Sequence, residues 1–210
     1  MSNCEVVQLP TLVVEPFQVT EVLRCLFHTI LFNRALGPVV AREIDAELFE
    51  ITWPHCGDEA AELRLEGKIA QVHSWVERNR DKRATVRLSF FERPSHSVPS
   101  WVFLRQEQRL VWEEWTVNLV PAASFDSEQR AQLEIGLEEC IHRIVTAVNE
   151  KKDHIPPVVK GSPLTFNFDI TVTAQSSGDS SSESSSSVTA FGTELMRRVL
   201  SAAQPPSVLH

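Results

Sequence analysis

The side chains of this chain that could act as general acids, bases or nucleophiles are scattered, and none of them stands in a catalytic arrangement. Glu113 and Glu114 are adjacent in an apolar run that is typical of a β-strand, so their carboxylates point to opposite faces and cannot act together on one substrate. Glu138 and Glu139 are explained more simply as part of the solvated face of a helix. His28 lies beside the apolar face of a predicted helix, which favours a packed side chain over a general base.

The chain also lacks the spacings that hold metals and cofactors. His55 and Cys56 are adjacent, but no second Cys/His pair stands at the spacing of a zinc site. The seven glycines form no phosphate-binding loop. The other cysteines, Cys4, Cys25 and Cys140, are far apart, so we expect four reduced thiols, with Cys25 and Cys140 as small core residues. We therefore predict a protein that is not an enzyme and that binds no metal and no cofactor.

An aromatic loop is the stronger sign of function. Trp101, Val102 and Phe103 follow a linker rich in proline and serine, a composition that keeps a connection at the surface. Burying both aromatic rings against a partner would contribute a few kcal/mol, at roughly 25 cal/mol per Å² of apolar surface. Exposed rings on a loop mark recognition, whereas rings that fold back belong to the core. The spacing alone leaves both interpretations open.

Charge and hydropathy exclude several classes of partner. A formal charge of −8, from 20 basic and 28 acidic residues, argues against a nucleic-acid surface, which needs a basic patch. The same balance offers no polybasic anchor for anionic lipid. No apolar stretch is long enough to cross a membrane, and the N-terminus lacks the basic start and apolar core of a signal peptide. We therefore expect a cytoplasmic protein with no transmembrane segment.

The elements that position the aromatic loop follow from hydrophobic periodicity and from residues that begin or end helices. In chain order, the predicted elements are an edge strand over 5–14, a helix that begins near Pro16 and ends at Gly37-Pro38, a strand over 46–53 closed by Pro54, a helix from Asp58 to about Arg78, strands over 84–91 and 110–120, a helix from Asp126 to about Lys152, and a strand over 164–173. Two of these strands flank the loop, so it is predicted to connect them.

The C-terminal part of the chain differs in composition. Residues 176–187 contain nine serines and cannot bury a core, so we expect disorder over 175–188. A short amphipathic helix is predicted around Thr189–Ala202, followed by a flexible tail over 203–210. Because structure is expected to resume after the serines, we interpret them as an insertion within a single domain that spans 1–210.

Four stretches of the sequence carry a resemblance to a known family. They are Val-Leu-Arg-Cys-Leu-Phe-His-Thr-Ile-Leu-Phe-Asn-Arg (22–34), Trp-Val-Phe (101–103), Trp-Glu-Glu-Trp-Thr-Val (112–117) and Met-Arg-Arg-Val-Leu (196–200). Together with the order of the elements, they resemble the autophagy-related protein 101 family of HORMA-domain proteins, over roughly residues 5–202. The resemblance implies an α+β fold, HORMA-like, in which a mostly antiparallel sheet packs with three main helices and a short C-terminal helix.

The resemblance also implies partners and a binding site. Trp101, Val102 and Phe103 would form a protruding Trp/Phe finger that recruits downstream autophagy factors to the phagophore assembly site, where autophagosomes form. The chain would pair with the HORMA domain of autophagy-related protein 13, inside the Unc-51-like kinase complex, as a scaffold that stabilises this partner. Val102 stands where the family often has proline, so the finger is expected to be less stiff here.

The dimer face is inferred by analogy. HORMA dimers of the mitotic-checkpoint kind pair largely through the third helix, which here is the predicted helix over 126–152. Its inner stripe belongs to the core, which leaves flanking positions such as Arg130, Glu134, Ile135 and Arg143 for the interface. The alternative is that these positions form an ordinary solvated helix face.

Two other functions stay open. A peptide-clasping HORMA adaptor of the mitotic-checkpoint type would wrap its C-terminal segment around an extended motif as an added strand, and the mobility of residues 160–202 would reveal it. A small hydrolase that uses a surface serine would need a pocket that joins His28 or His142 to that serine and to a carboxylate.

Overall fold

A five-stranded sheet with three helices packed on one of its faces forms the core of the molecule, together with a separate two-stranded hairpin. The computed structural model describes residues 4–37, 39–93, 109–122, 127–158 and 165–175. The elements are β1 (Glu5–Gln8), β2 (Leu12–Val14), α1 (Val19–Asn33), β3 (Arg42–Asp45), β4 (Thr52–His55), α2 (Glu59–Arg78), β5 (Ala84–Glu92), β6 (Leu110–Pro121), α3 (Ser127–Glu150) and β7 (Phe168–Ala174). This mixed α+β architecture is HORMA-like, as predicted.

The long strand β6 organises the main sheet. It pairs antiparallel with β5, which pairs antiparallel with β7, so that Leu88 lies opposite both Trp115 and Ile170. On its other side, β6 pairs in parallel with β1 and β2. The predicted edge strand over 5–14 is therefore two short strands, and the break falls at Pro10, which has no N–H to continue the ladder.

The two faces of this sheet differ in chemistry. The side chains of Val86, Leu88, Trp115 and Val117 point to the helices and are fully buried. The opposite face is polar, and neighbouring strands are joined across it by side-chain hydrogen bonds, such as the one that Thr85 donates to Asn118 over 2.8 Å. An antiparallel sheet with one apolar and one polar face needs helices on one side only.

The three helices form largely where periodicity predicts them. A 3-10 turn at Pro16–Gln18 precedes α1, and Gly37, with a φ of 94°, lies in the turn that follows it. Asp58 caps α2 by accepting a hydrogen bond from the backbone N–H of Ala61 over 3.1 Å. In α3, Gly136 allows a close approach to the sheet, because a Cβ there would lie 2.9 Å from the Leu12 side chain.

Two predicted strands need correction. The segment over 46–53 is mostly a connection, closed by a 2.9 Å bond from Ala46 N–H to the Ile51 carbonyl, and it joins β3 to β4 in a hairpin. All four residues of β3 are exposed, so no apolar alternation marked it, and Pro54 lies inside β4 instead of closing a strand. The C-terminal strand begins at Phe168, because residues 165–167 are irregular and pack against other elements.

Several predictions fall outside the described residues. They include the first capping residue Asp126, the strand start at Leu164, the serine tract over 176–187, the final helix around 189–202 and the tail over 203–210. All four cysteines are described, all are free, and Cys25 and Cys140 are buried as predicted. None of the described helices has the length and hydropathy that a membrane span requires.

A fully buried carboxylate joins three elements in the core. Glu113, on β6, is 0% exposed and accepts a forked pair of hydrogen bonds from Arg34, the residue that follows α1, at 2.8–3.0 Å. His154, beyond the end of α3, lies 2.6 Å from the same carboxylate, and the Trp115 indole N–H donates to it over 2.5 Å. We call Glu113, Arg34, Trp115 and His154 the Glu113 cluster.

A β-bulge lies next to the Glu113 cluster on β6. The pairing of β5 with β6 shifts between Phe90 and Phe91, so that Phe90 lies opposite Glu113 and Phe91 lies opposite Val111, with Trp112 as the extra residue. Glu113 points inward by the ordinary alternation that also buries Trp115 and Val117, and the bulge turns the adjacent Trp112 inward beside it. A bulge redirects side chains in this way, so that two consecutive residues of one strand both reach the core.

The two adjacent glutamates of β6 make a matched pair for a stability test. Glu113→Gln should lower the free energy of unfolding by about 3–5 kcal/mol, because it leaves the Arg34 guanidinium buried without a compensating charge. Glu114→Gln, on the half-exposed face beside Arg87, should cost less than about 1 kcal/mol. Urea unfolding followed by circular dichroism measures both, and equal midpoints for the two variants would contradict this role of Glu113.

Candidate functional site

The predicted finger is the connection between β5 and β6. Trp101, Val102 and Phe103 lie outside the described residues, but both ends of the connection are described. Glu92 and Leu110 are paired, so the chain leaves the sheet and returns to it at neighbouring points. The finger residues therefore belong to a long hairpin connection that is anchored at one end of the sheet.

Charged side chains hold the base of this connection. The Arg109 guanidinium lies 4.7 Å above the Phe91 ring and forms a 2.8 Å ion pair with Asp169 on β7. Lys68 of α2 pairs with the other oxygen of Asp169 at 2.6 Å. Burial alone would raise the pKa of Asp169, but the hydrogen bonds and charges of Lys68 and Arg109 outweigh it, so this pKa lies below its usual value. The base of the finger is thus tied to both the sheet and α2.

The predicted interface residues of α3 differ in what they contact. Arg130 donates a 2.6 Å hydrogen bond to the carbonyl of Leu48, in the connection between β3 and β4, and lies 3.5 Å from Glu134. These two side chains therefore help to hold α3 against the rest of the molecule. Ile135 is 58% exposed, which is high for a large apolar side chain on a helix.

The fourth predicted residue, Arg143, lies at a groove between α3 and the turn that joins β1 to β2. Leu9, Pro10, His142 and Thr146 line the same groove. At roughly 100° of rotation per residue, Ile135 points directly away from the buried stripe of α3, whereas Arg130 and Arg143 flank that stripe on opposite sides. The four residues consequently do not share one flat face, and the outward surface is centred on Ile135.

The histidines lie in different surroundings from those that a hydrolase requires. His28 is buried and stacks on Trp53 with ring centroids 4.5 Å apart, and the pocket that it lines has carboxylates but no serine among the described residues. His142 lines the groove beside Arg143, likewise without a described serine. Burial raises the pKa of both Cys25 and Cys140 to about 12, which leaves neither of them a thiolate nucleophile.

Sequence reasoning missed two groups of residues. It assigned Glu113 to a non-functional pair, although the positions of Arg34 and His154, distant in sequence, decide its role. It also missed the pocket around Trp53, because the hairpin that carries this residue was not recognised. A signal for the first was present, since a glutamate on the apolar side of a strand calls for a buried partner.

Asp169→Asn should weaken the base of the finger, with a defined dependence on pH. The folded-state pKa of Asp169 is depressed, so its stabilising contribution is present above the ordinary value of 3.8 and is lost as the pH falls below it. The variant should therefore be less stable than the parent at pH 7, by no more than about 1 kcal/mol, and equally stable in acid. Urea unfolding at several pH values tests this, with exposed Asp153→Asn as control; a gap that does not close in acid would contradict it.

Comparison with known proteins identifies the family. The family model of autophagy-related protein 101 matches residues 11–162 of this chain. A protein of that name from Arabidopsis thaliana is 38% identical, over 97% of this chain and 98% of its own length. Its namesakes from Schizosaccharomyces pombe and Xenopus laevis are 27% and 25% identical, over 68% and 74% of this chain and 73% and 77% of their own lengths. The chain belongs to the autophagy-related protein 101 family.

Proposed function

We propose that this chain is a non-catalytic adaptor of the machinery that starts autophagosome formation. Membership of the autophagy-related protein 101 family, supported over nearly the whole chain, gives it a role in autophagy and carries the proposal. In this proposal it forms a HORMA–HORMA heterodimer with autophagy-related protein 13 within the Unc-51-like kinase complex. It stabilises that partner and recruits downstream factors to the phagophore assembly site through Trp101, Val102 and Phe103.

The outward face of α3 supports the heterodimer. Ile135 and Val145 are 58% and 43% exposed, while the buried stripe of the same helix is already filled by the core. Exposed apolar side chains on a rigid helix supply contact area at little cost in conformational entropy. Arg143, beside the groove, adds a charge at the edge of this face, where charges set orientation and association rate.

The anchoring of the β5–β6 connection supports the finger. Arg109 and Asp169 tie the returning end of the connection to β7, on the far side of β5, and Phe91 and Val111 remain paired below it. A recognition loop needs such a base, because a loop whose ends are fixed loses less entropy when it binds. Aromatic anchors held in this way are typical of residues that dominate a binding energy.

The peptide-clasping alternative requires β7 to leave the sheet. β7 is paired with β5 along its whole length, and Phe168, Ile170 and Val172 point into the core. Exposing these three side chains would cost about 1.5–3 kcal/mol each. The described packing thus favours a strand that stays in place, and uniform hydrogen-exchange protection over 168–174 would argue against a clasp.

Ile135→Asp tests the heterodimer face. The substitution places a charge at the centre of the proposed interface, so the affinity for the HORMA domain of autophagy-related protein 13 should fall by more than about tenfold. Because Ile135 is largely exposed, the free energy of unfolding should change by less than about 0.5 kcal/mol. Isothermal titration calorimetry and urea unfolding measure the two quantities.

Val40→Asp is the matched control for this test, since Val40 is 82% exposed in the connection between α1 and β3, outside α3. It should leave the affinity unchanged. If Ile135→Asp binds as tightly as the control, α3 is not the dimer face. If the unsubstituted chain elutes separately from the partner at micromolar concentration in size-exclusion chromatography, the proposal that the two form a heterodimer is contradicted.

Trp101→Ala combined with Phe103→Ala tests the finger. The pair should leave the melting temperature and the heterodimer unchanged, while recruitment of downstream factors in cells is lost. Ser95→Ala combined with Ser97→Ala, in the same connection, is the control and should preserve recruitment. A large drop in melting temperature for the double variant would show that Trp101 and Phe103 belong to the core, which would contradict the proposed finger.

A further inference from the structure

An acidic pocket lies between α1, α2 and the β3–β4 hairpin, away from the outward face of α3. Its volume is about 400 Å³. The lining residues whose charges face it are Glu21, Arg24, Asp45, Glu47, Glu59, Glu62 and Glu66, with His28, Trp53 and His55 as the aromatic part and Ile44 and Leu63 as apolar members. The pocket thus combines six carboxylates, a stack of rings and a single permanent cation.

The carboxylates reach the pocket from three separate elements. Glu59, Glu62 and Glu66 belong to α2, where acidic residues in the first turn also stabilise the helix through its dipole. Glu21 lies in the first turn of α1, where the dipole of that helix favours it in the same way. No helix terminus explains Glu47, which follows β3. Their convergence with the acids of α2 is therefore a property of the pocket and not of one helix.

Some of these charges are already engaged within the chain. Glu66 accepts a bidentate pair from Arg24 at 2.7–3.1 Å and lies 3.5 Å from His28. Glu62 lies 3.0 Å from His55. Glu21 accepts a hydrogen bond from the backbone N–H of Glu47 over 2.9 Å. These contacts build the wall of the pocket and fix the hairpin against α1 and α2.

Other groups at the pocket are left without a partner. The side chains of Glu47 and Glu59 are exposed and lie in direct ion-pair contact with no other described residue, although Arg24 attracts Glu47 from a greater distance. Trp53 is only 6% exposed, yet its indole N–H has no acceptor within the described chain, and Nδ1 of His28, which is 2% exposed, likewise has no hydrogen-bond partner there. Buried polar groups without a partner are costly, so they point to a ligand that completes them.

We propose that this pocket binds an arginine side chain of a partner protein. A guanidinium matches the free carboxylates of Glu47 and Glu59 with its planar fork of donors and stacks on aromatic rings such as Trp53. Its aliphatic stem fits the exposed Leu63 and Ile44 at the rim. The peptide that carries it also offers carbonyl groups, which the indole N–H of Trp53 requires.

A metal ion is a poorer occupant. No group of three or more histidine, cysteine, aspartate or glutamate side chains within the described ranges has the geometry to hold one. The rings of His28 and His55 are stacked on each other with centroids 5.2 Å apart, so they are arranged as a surface and not as converging ligands. The occupant is therefore an organic cation.

Nuclear magnetic resonance of the full chain tests the proposal, with the indole N–H of Trp53 assigned through Trp53→Phe. The probe is the blocked peptide Gly-Arg-Gly-Arg-Gly. Its titration should shift the Trp53 signal to saturation with a dissociation constant of roughly 1 mM or tighter. The shift should weaken as salt shortens the Debye length from about 10 Å at 0.1 M to 3 Å at 1 M. The same peptide with citrulline in place of arginine keeps the shape without the charge and should not bind.

A matched pair of variants assigns the binding to this pocket. Glu47→Gln combined with Glu59→Gln should weaken the peptide by about tenfold, the loss expected for two exposed charge contacts. Glu138→Gln combined with Glu139→Gln, which removes the same charge from α3, should leave the affinity unchanged. Both pairs are exposed, so neither should unfold the chain, and the loss of the Glu59 charge from the first turn of α2 should cost no more than about 1 kcal/mol.

Three results would overturn the proposal. They are the absence of any Trp53 shift at millimolar peptide, equal shifts with the citrulline peptide, and equal weakening by the two variant pairs. A fourth result concerns the chain without peptide. If Arg197→Gln combined with Arg198→Gln shifts the Trp53 signal, the occupant is the C-terminal segment of the chain itself, and the proposal is overturned. None of these outcomes depends on autophagy-related protein 13, so the adaptor function stands or falls separately.

Discussion

The ion pair between Glu113 and Arg34 is the constraint on which the arrangement of helices and sheet depends. Glu113 is entirely buried, and removing its partners would leave a charge in a medium that cannot solvate it. Arg34 brings the end of α1 to the sheet, and His154 brings the segment beyond α3 to the same carboxylate. Buried ion pairs add little net stability, but they make alternative packings costly, because each alternative breaks the pair.

The polar cluster and the apolar core act together. The bulge next to Glu113 in β6 places Trp112 against Phe90 and Phe166, with ring centroids 5.4 and 4.8 Å away. This packing lies near the end of the sheet from which the β5–β6 connection departs. The element that carries the finger is consequently braced from one side by aromatic contacts and from the other by Arg109 and Asp169. The way the sheet is built therefore gives the β5–β6 connection a rigid base.

Periodicity predicted the long elements well and the short ones poorly. α2 and α3 each bury one stripe, α1 is apolar and buried over most of its surface, and β5, β6 and β7 largely alternate, so their patterns reflect the packing directly. β3 is exposed at every position, so its sequence carries no such pattern. The roles of Glu113 and Trp53 depend on residues far away in the chain, and no local pattern reports such contacts. The finger residues were predicted from composition and resemblance, and they remain a prediction.

The central claim is that this chain works by presenting aromatic side chains to other proteins from a rigid sheet. Hydroxyl-radical footprinting of the unbound full chain, read by mass spectrometry, tests it most directly, because Trp115, with 0% exposure, is an internal standard for a buried indole. The account predicts that Trp101 and Phe103 are oxidised at the rates of fully exposed side chains while Trp115 is protected. Protection of Trp101 equal to that of Trp115 would contradict it.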